Sequence, residues 1–234
     1  MDMVTTDLHA TPAISQGRHD LYLPVHKGIR AFMCEVLLNA GKVDSTDQQE
    51  LESVLAQIRG LLYLCKAHLK HENNFLHNAM EAHKPGSSKK TAIAHEAHER
   101  EMQHIEQTIL QVEFASQEMR AVLMTGLYRQ VALFIAENFE HMHTEETENM
   151  PLLWEYYSDE ELTKLEHELV AEIPADLNAV FLRWMLPYIT PAERTNMLRS
   201  IKQQAPDATV HQIMEMLQQN LDARDWEKLI RELN

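Results

Sequence analysis

Glycine and proline are scarce. Six Gly and eight Pro interrupt 234 residues, too few for a chain built of tight turns. Strand-forming residues do not gather between paired turn signals either, so no sheet is expected. Cysteine is scarcer still. Cys34 and Cys65 fall among apolar helical positions and read as small core fillers; two isolated cysteines make neither a disulfide framework nor a metal knuckle. Basic residues are outnumbered, 21 Lys and Arg against 36 Asp and Glu, for a formal net charge of −15. Such a chain repels phosphate backbones and anionic lipid, which argues against nucleic-acid or membrane-surface binding. No apolar run approaches the roughly 18 residues of a membrane span. The opening MDMVTTDLHATPAIS lacks a basic stretch followed by an apolar one, so no secretory signal is read there and a cytoplasmic location is expected.

What is present favours helix. Leu, Glu, Gln, Met and Ala are plentiful, and 44% hydrophobic residues suffice for a real core. Residues 1–20 are polar and aperiodic and read as an N-terminal arm. Pro24 suits the first turn of a helix, and His26, Ile29, Met33, Val36 and Ala40 repeat at helical spacing with Gly41 as a stop. Ser45 and Gln48 form a capping-box pattern that opens a second helix. Its stripe runs Leu51, Leu55, Ile58, Leu62, Cys65, His68, Glu72, Phe75 and Ala79, ahead of the loop HKPGSSKK at 83–90. A third helix starts near Thr91, with His95, His98, Met102, Ile105, Ile109 and Val112 in line. After a turn near Ser116, a fourth carries Leu127, Val131, Phe134, Asn138, His141 and Glu145 and stops before Pro151.

Four long amphipathic helices with short connections predict an all-α, up-down-up-down four-helix bundle over residues 21–157. Residues 158–234 differ, because Pro174, Pro187, Pro191 and Pro206 cut them into shorter helices. SDEE at 158–161 and TPAE at 190–193 are capping boxes. This stretch reads as a C-terminal helical extension packed on the bundle, with Trp154, Tyr156 and Tyr157 at the join.

His-x3-Glu puts an imidazole and a carboxylate on one helical face, one turn apart, where both can reach one metal. The spacing occurs five times, at His68/Glu72, His77/Glu81, His95/Glu99, His141/Glu145 and His211/Glu215, so alone it discriminates little. The apolar stripes sort the pairs. His211/Glu215 lies beside its helix's apolar face, Glu81 turns away from the Phe75/Ala79 line, and Glu99 lies to one side. Only His68/Glu72 and His141/Glu145 put both members among buried residues. His71, His143, His104 and His83 fall off the inward lines and are expected to be solvated.

In an up-down-up-down bundle the start of helix one, the end of helix two, the start of helix three and the end of helix four share one end. His26, His68, Glu72, His95, His98, His141 and Glu145 would then meet inside it. A single inward histidine is more often a satisfied core residue than a ligand. Two buried, unpaired carboxylates are another matter, since each costs several kcal/mol and cations offset that cost. Imidazole with carboxylate suits Fe, Mn, Zn, Cu or Ni rather than Ca or Mg. The donors exceed what one tetrahedral zinc needs. Two metals about 3.5–4 Å apart, bridged by Glu72 and Glu145, would use them.

These stretches resemble the hemerythrin-like, HHE cation-binding family. HLKHENNFL at 68–76 is similar to its second-helix H-x3-E motif, HMHTEETENMP at 141–151 to its fourth-helix motif, VHKGIR at 25–30 to its first-helix histidine and HEAHE at 95–99 to its third. The resemblance implies two iron ions, with Mn or Zn as substitutes, bridged by carboxylates and an oxo or hydroxo group. It also implies an edge reactive toward a small diatomic or anionic ligand. His26, His68, His95 and His141 would be terminal ligands and Glu72 and Glu145 bridges. His98 follows His95 at i, i+3 rather than the i, i+4 of oxygen carriers, so both, or one, could ligate.

The leading expectation is a non-haem di-iron protein that binds or senses oxygen or handles reactive oxygen or nitrogen species. An alternative is a metal-dependent regulatory protein whose residues 158–234 contact a partner. A zinc or manganese hydrolase comes third, since no nucleophile motif or phosphate loop accompanies the donors.

Overall fold

The computed structural model describes residues 17–233, and these are mostly helical with no strand among them. Most of the expected N-terminal arm therefore lies outside the described residues. The helices are α1 Leu23–Lys42, α2 Gln48–His71, α3 His77–His83, α4 Lys89–Phe114, α5 Gln117–Thr144, α6 Met150–Tyr156, α7 Asp159–Ala171, α8 Ala175–Met185, α9 Pro191–Gln204, α10 Asp207–Asn220 and α11 Ala223–Leu233. Two of the joins are not breaks. Glu72–Leu76 links α2 to α3, and Glu145–Asn149 links α5 to α6, each as a π-helical turn within a continuous helical run. The π turns are closed by His77 N–H donating to Glu72 O and by Met150 N–H donating to Glu145 O.

These turns correct three expectations. A π turn holds about one residue more than an α turn, so everything after it rotates by about 100°. The inward line after Glu72 therefore passes through Leu76, His77 and Met80, all buried, while Phe75 and Ala79 are only partly covered. His77, expected at the surface, is buried for this reason. The same shift after Glu145 brings Asn149, Met150 and Leu153 inward. The helical run also continues past Pro151, which sits in the first turn of α6, where the missing N–H is tolerated.

Two helix ends differ from expectation more locally. Asp47, not Ser45, caps α2, accepting from Gln49 N and Glu50 N. α1 runs one residue beyond Gly41; a Cβ at 41 would lie 3.1 Å from the Tyr128 ring, so the glycine makes room for a neighbour rather than ending the helix. Both later capping boxes form as expected, Ser158 with Glu161 and Thr190 with Glu193.

α1 contacts α2 and α5, α2 contacts α4, and α4 contacts α5. Their shared core runs from Ile29, Met33 and Val36 through Leu55, Ile58 and Leu62 to Ile105, Ile109, Leu127 and Phe134. Cys65 is buried there, but Cys34 is exposed and fills nothing. α8 lies against α1, adding Leu177 and Phe181 to this core. The approach is close enough to require Gly28, where a Cβ would stand 2.7 Å from Met185 Cα. Trp184 stacks on Phe32 with ring centroids 4.1 Å apart, and Lys27 Nζ donates to both Glu193 oxygens at 2.8 Å. The later helices hold a separate cluster of Leu186, Ile189, Leu198, Ile213, Leu217 and Leu229.

A third cluster, Tyr22, Leu76, Met80, Met150, Leu153 and Leu162, closes the end at which the π turns lie. Over it, residues 18–20 are strapped to α6 and α7. Arg18 donates to Asp159 at 2.6 Å and to the Tyr157 carbonyl at 2.8 Å, and the Trp154 indole donates to the His19 carbonyl at 2.7 Å.

Candidate metal centre

The ends of α1, α2, α4 and α5 near the π turns carry buried polar donors. His26, Glu72, His95, His141 and Glu145 are buried there, and His68 is nearly so. The donors fall into two imidazole pairs. His26 Nε2 and His68 Nε2 are 3.2 Å apart, and His95 Nε2 and His141 Nε2 are 2.9 Å apart. Each glutamate turns one oxygen toward each pair. Glu72 Oε1 lies 3.1 Å from His68 Nε2 and 3.6 Å from His26 Nε2, while its Oε2 lies 3.6 Å from His95 Nε2. Glu145 Oε1 lies 3.2 Å from His141 and 3.4 Å from His95, and its Oε2 lies 3.5 Å from His26.

Outer partners decide which nitrogens face inward. His26 Nδ1 lies 2.9 Å from Glu146 Oε1, which also accepts from Arg30 at 2.6 Å. His95 Nδ1 lies 2.7 Å from Asn73 Oδ1. A proton on each Nδ1 leaves the Nε2 lone pairs pointing into the cluster, the tautomer that ligation needs.

The electrostatics are those of a site waiting for positive charge. Burial opposes the His26 cation, yet the hydrogen bond with Glu146 and the charges of Glu145 and Glu72 outweigh it and raise its pKa to about 9. Burial also opposes ionisation of Glu72, but the surrounding imidazoles hold its carboxyl well below the usual range. Even so, both Glu72 oxygens and Glu145 Oε2 are buried without a well-aligned hydrogen bond, although imidazole nitrogens lie close. Close approach of donor atoms with poor mutual alignment is what convergence on a shared cation produces. The cluster Glu72, His95, His141 and Glu145 could hold a metal ion, and His26, His68 and Glu72 form a second group of donors equally near one another.

Of the expected donors, only His98 stands apart. It is buried, with its ring 5.0 Å from that of His141, but belongs to neither group, and neither nitrogen has a hydrogen-bond partner. Burial, with the nearby His141 and His95, pushes its pKa down to about 4. The surface assignments fare unevenly. His104, His143 and His83 are exposed, and His211 with Glu215 forms an open pair at 3.3 Å. His71 is buried instead of solvated. α8 packs on α2 as well as on α1.

Sequence reasoning also missed Glu146, Asn73, Tyr22, Thr91 and Asn149, and it put His77 at the surface. Tyr22 could have been found, since it lies one turn before His26 on its face. The others depend on the π-turn rotation or on a single neighbouring helix.

The chain matches no family model, no curated protein and no solved structure to which it was compared.

Proposed function

We propose that the chain is a hemerythrin-like protein, in which α1, α2, α4 and α5 form an up-down-up-down four-helix bundle holding two iron ions. One observation carries this reading: each of two buried carboxylates directs one oxygen to each of two imidazole pairs. A single ion would leave one pair and one oxygen of each glutamate unused. His26 and His68 would bind one ion, His95 and His141 the other, and Glu72 and Glu145 would bridge them. Bound iron would supply electrons to a bound diatomic and an open position for a small anion, consistent with oxygen binding or sensing or with handling reactive oxygen or nitrogen species.

The protein's own part is arrangement. Glu146 and Asn73 orient imidazoles, Glu72 and Glu145 balance cationic charge in a dry interior, and the Leu76, Met80, Met150 and Leu153 cap excludes bulk water. The test is metal analysis of purified protein with optical spectra in air and with azide. About two irons per chain and an azide-dependent absorption band are expected; substoichiometric metal with no such band ends the reading.

A second reading, control of residues 158–234 by the metal, draws on the seating of α8 against the helix that bears His26. It expects metal-loaded and apo protein to differ in protease sensitivity beyond residue 158; identical digestion rejects it.

A further inference from the structure

On the side of the donor cluster that faces the apolar cap, four more polar side chains are buried together: Tyr22, His77, Thr91 and Asn149. Their hydrogen bonds can be counted proton by proton. Thr91 Oγ1 donates to the Ser88 carbonyl at 3.0 Å, so toward its other neighbours it can only accept. It accepts from His77 Nε2 at 3.1 Å and from Asn149 Nδ2 at 3.4 Å. Asn149 Nδ2 also reaches the Tyr22 hydroxyl oxygen at 3.5 Å. The proton of Tyr22 itself is accepted by no described residue. Its companions in the cap, Leu76, Met80, Met150, Leu153 and Leu162, offer no oxygen or nitrogen in their side chains.

A fully buried hydroxyl whose proton has no acceptor needs an explanation. Its position supplies one. Tyr22 is one helical turn before His26, on the same face, with ring centroids 5.5 Å apart. A phenol has an ordinary pKa of about 10 and keeps its proton at neutral pH. His77 stacks on His95 at 4.9 Å, which ties the other end of the polar chain to the donor cluster.

We infer that the Tyr22 hydroxyl is the hydrogen-bond donor to a small anion or oxygen ligand held at the cluster, with its aim fixed by the chain Asn149–Thr91–His77. This inference rests on the di-metal reading and deepens it. A lone O–H donor in an apolar surround selects a small ligand with an acceptor atom directed at the cap.

The test compares iron-loaded wild type with Tyr22→Phe, which removes one oxygen and little volume. Metal per chain and helix content should be equal, while azide affinity, followed by optical titration, falls about tenfold. Equal azide affinity overturns the inference and leaves the di-metal reading standing. If Tyr22→Phe does not fold, the infrared band of azide on loaded wild type carries the test. That band should shift on exchange into D2O, and a band that does not move overturns the inference. A wild-type chain that takes up no metal ends the di-metal reading itself, and this inference with it.

Discussion

The same four helices end in two different ways. At one end Leu51, Leu55, Val112, Met124 and Leu127 meet with nothing polar among them, and the helices that bear them are regular there. At the other end His26, His68, Glu72, His95, His141 and Glu145 occupy equivalent inward positions, and both helices that supply a glutamate widen into a π turn starting at that residue. The contrast with His211/Glu215 is instructive, for that pair has the same spacing in an unbroken helix and lies in solvent. Side-chain spacing thus makes a pair available; burial at a shared end, with a local change of helical register, makes it a site.

The largest expected effect tests that distinction directly. Glu145→Ala removes one arm that reaches both imidazole pairs and should weaken metal binding by more than about 100-fold, beyond the usual loss from an outer partner. Glu215→Ala, the same substitution in the solvated pair, should leave metal content unchanged. Metal titration of both variants checks this, and equal losses would break the comparison.

Next in size is a change at the apolar end. Ile109→Ala should cost about 2–5 kcal/mol of stability, measured by denaturant unfolding, while metal per chain stays at the wild-type value. Loss of metal in a folded Ile109→Ala protein would mean that the two ends are not separable.

The smallest effect concerns the strap over the polar end. His19 Nε2 lies 3.0 Å from Glu166 Oε2. The Glu166 carboxylate beside it raises the His19 pKa above the ordinary 6.5 despite burial, which pulls the other way. A raised folded-state pKa stabilises the fold fully below the unfolded value and less as pH climbs through the folded one. The stability difference between wild type and His19→Ala should therefore be at most about 1 kcal/mol below pH 6.5 and shrink above it. A difference that grows with pH would contradict this pairing.

Much of this was legible from residue order. The stripes from Ile29 to Ala40, Leu51 to Glu72 and His95 to Val112 lie inward as their period requires. The Ser158 and Thr190 caps needed only four residues each, because a capping box is a local hydrogen-bond exchange. Reading failed wherever the hydrogen-bond register changed. Past Glu72 and Glu145 the 3.6 period predicts Phe75 and Ala79 inward and an end before Pro151, whereas Leu76, His77 and Met80 are buried and the helical run continues to Tyr156.

The sequence by itself determined an all-helical chain, and it put imidazole and carboxylate at inward positions on helix segments far apart in the chain. It could do so because helical periodicity and capping act over a few residues. Only the tertiary structure decided that six of those donors meet while His98 stays beside them, that α8 covers α1 and α2, and that Tyr22, His77, Thr91 and Asn149 form one buried chain. Those outcomes depend on distances between separate helices and on two widened turns, which no periodicity within a single segment encodes.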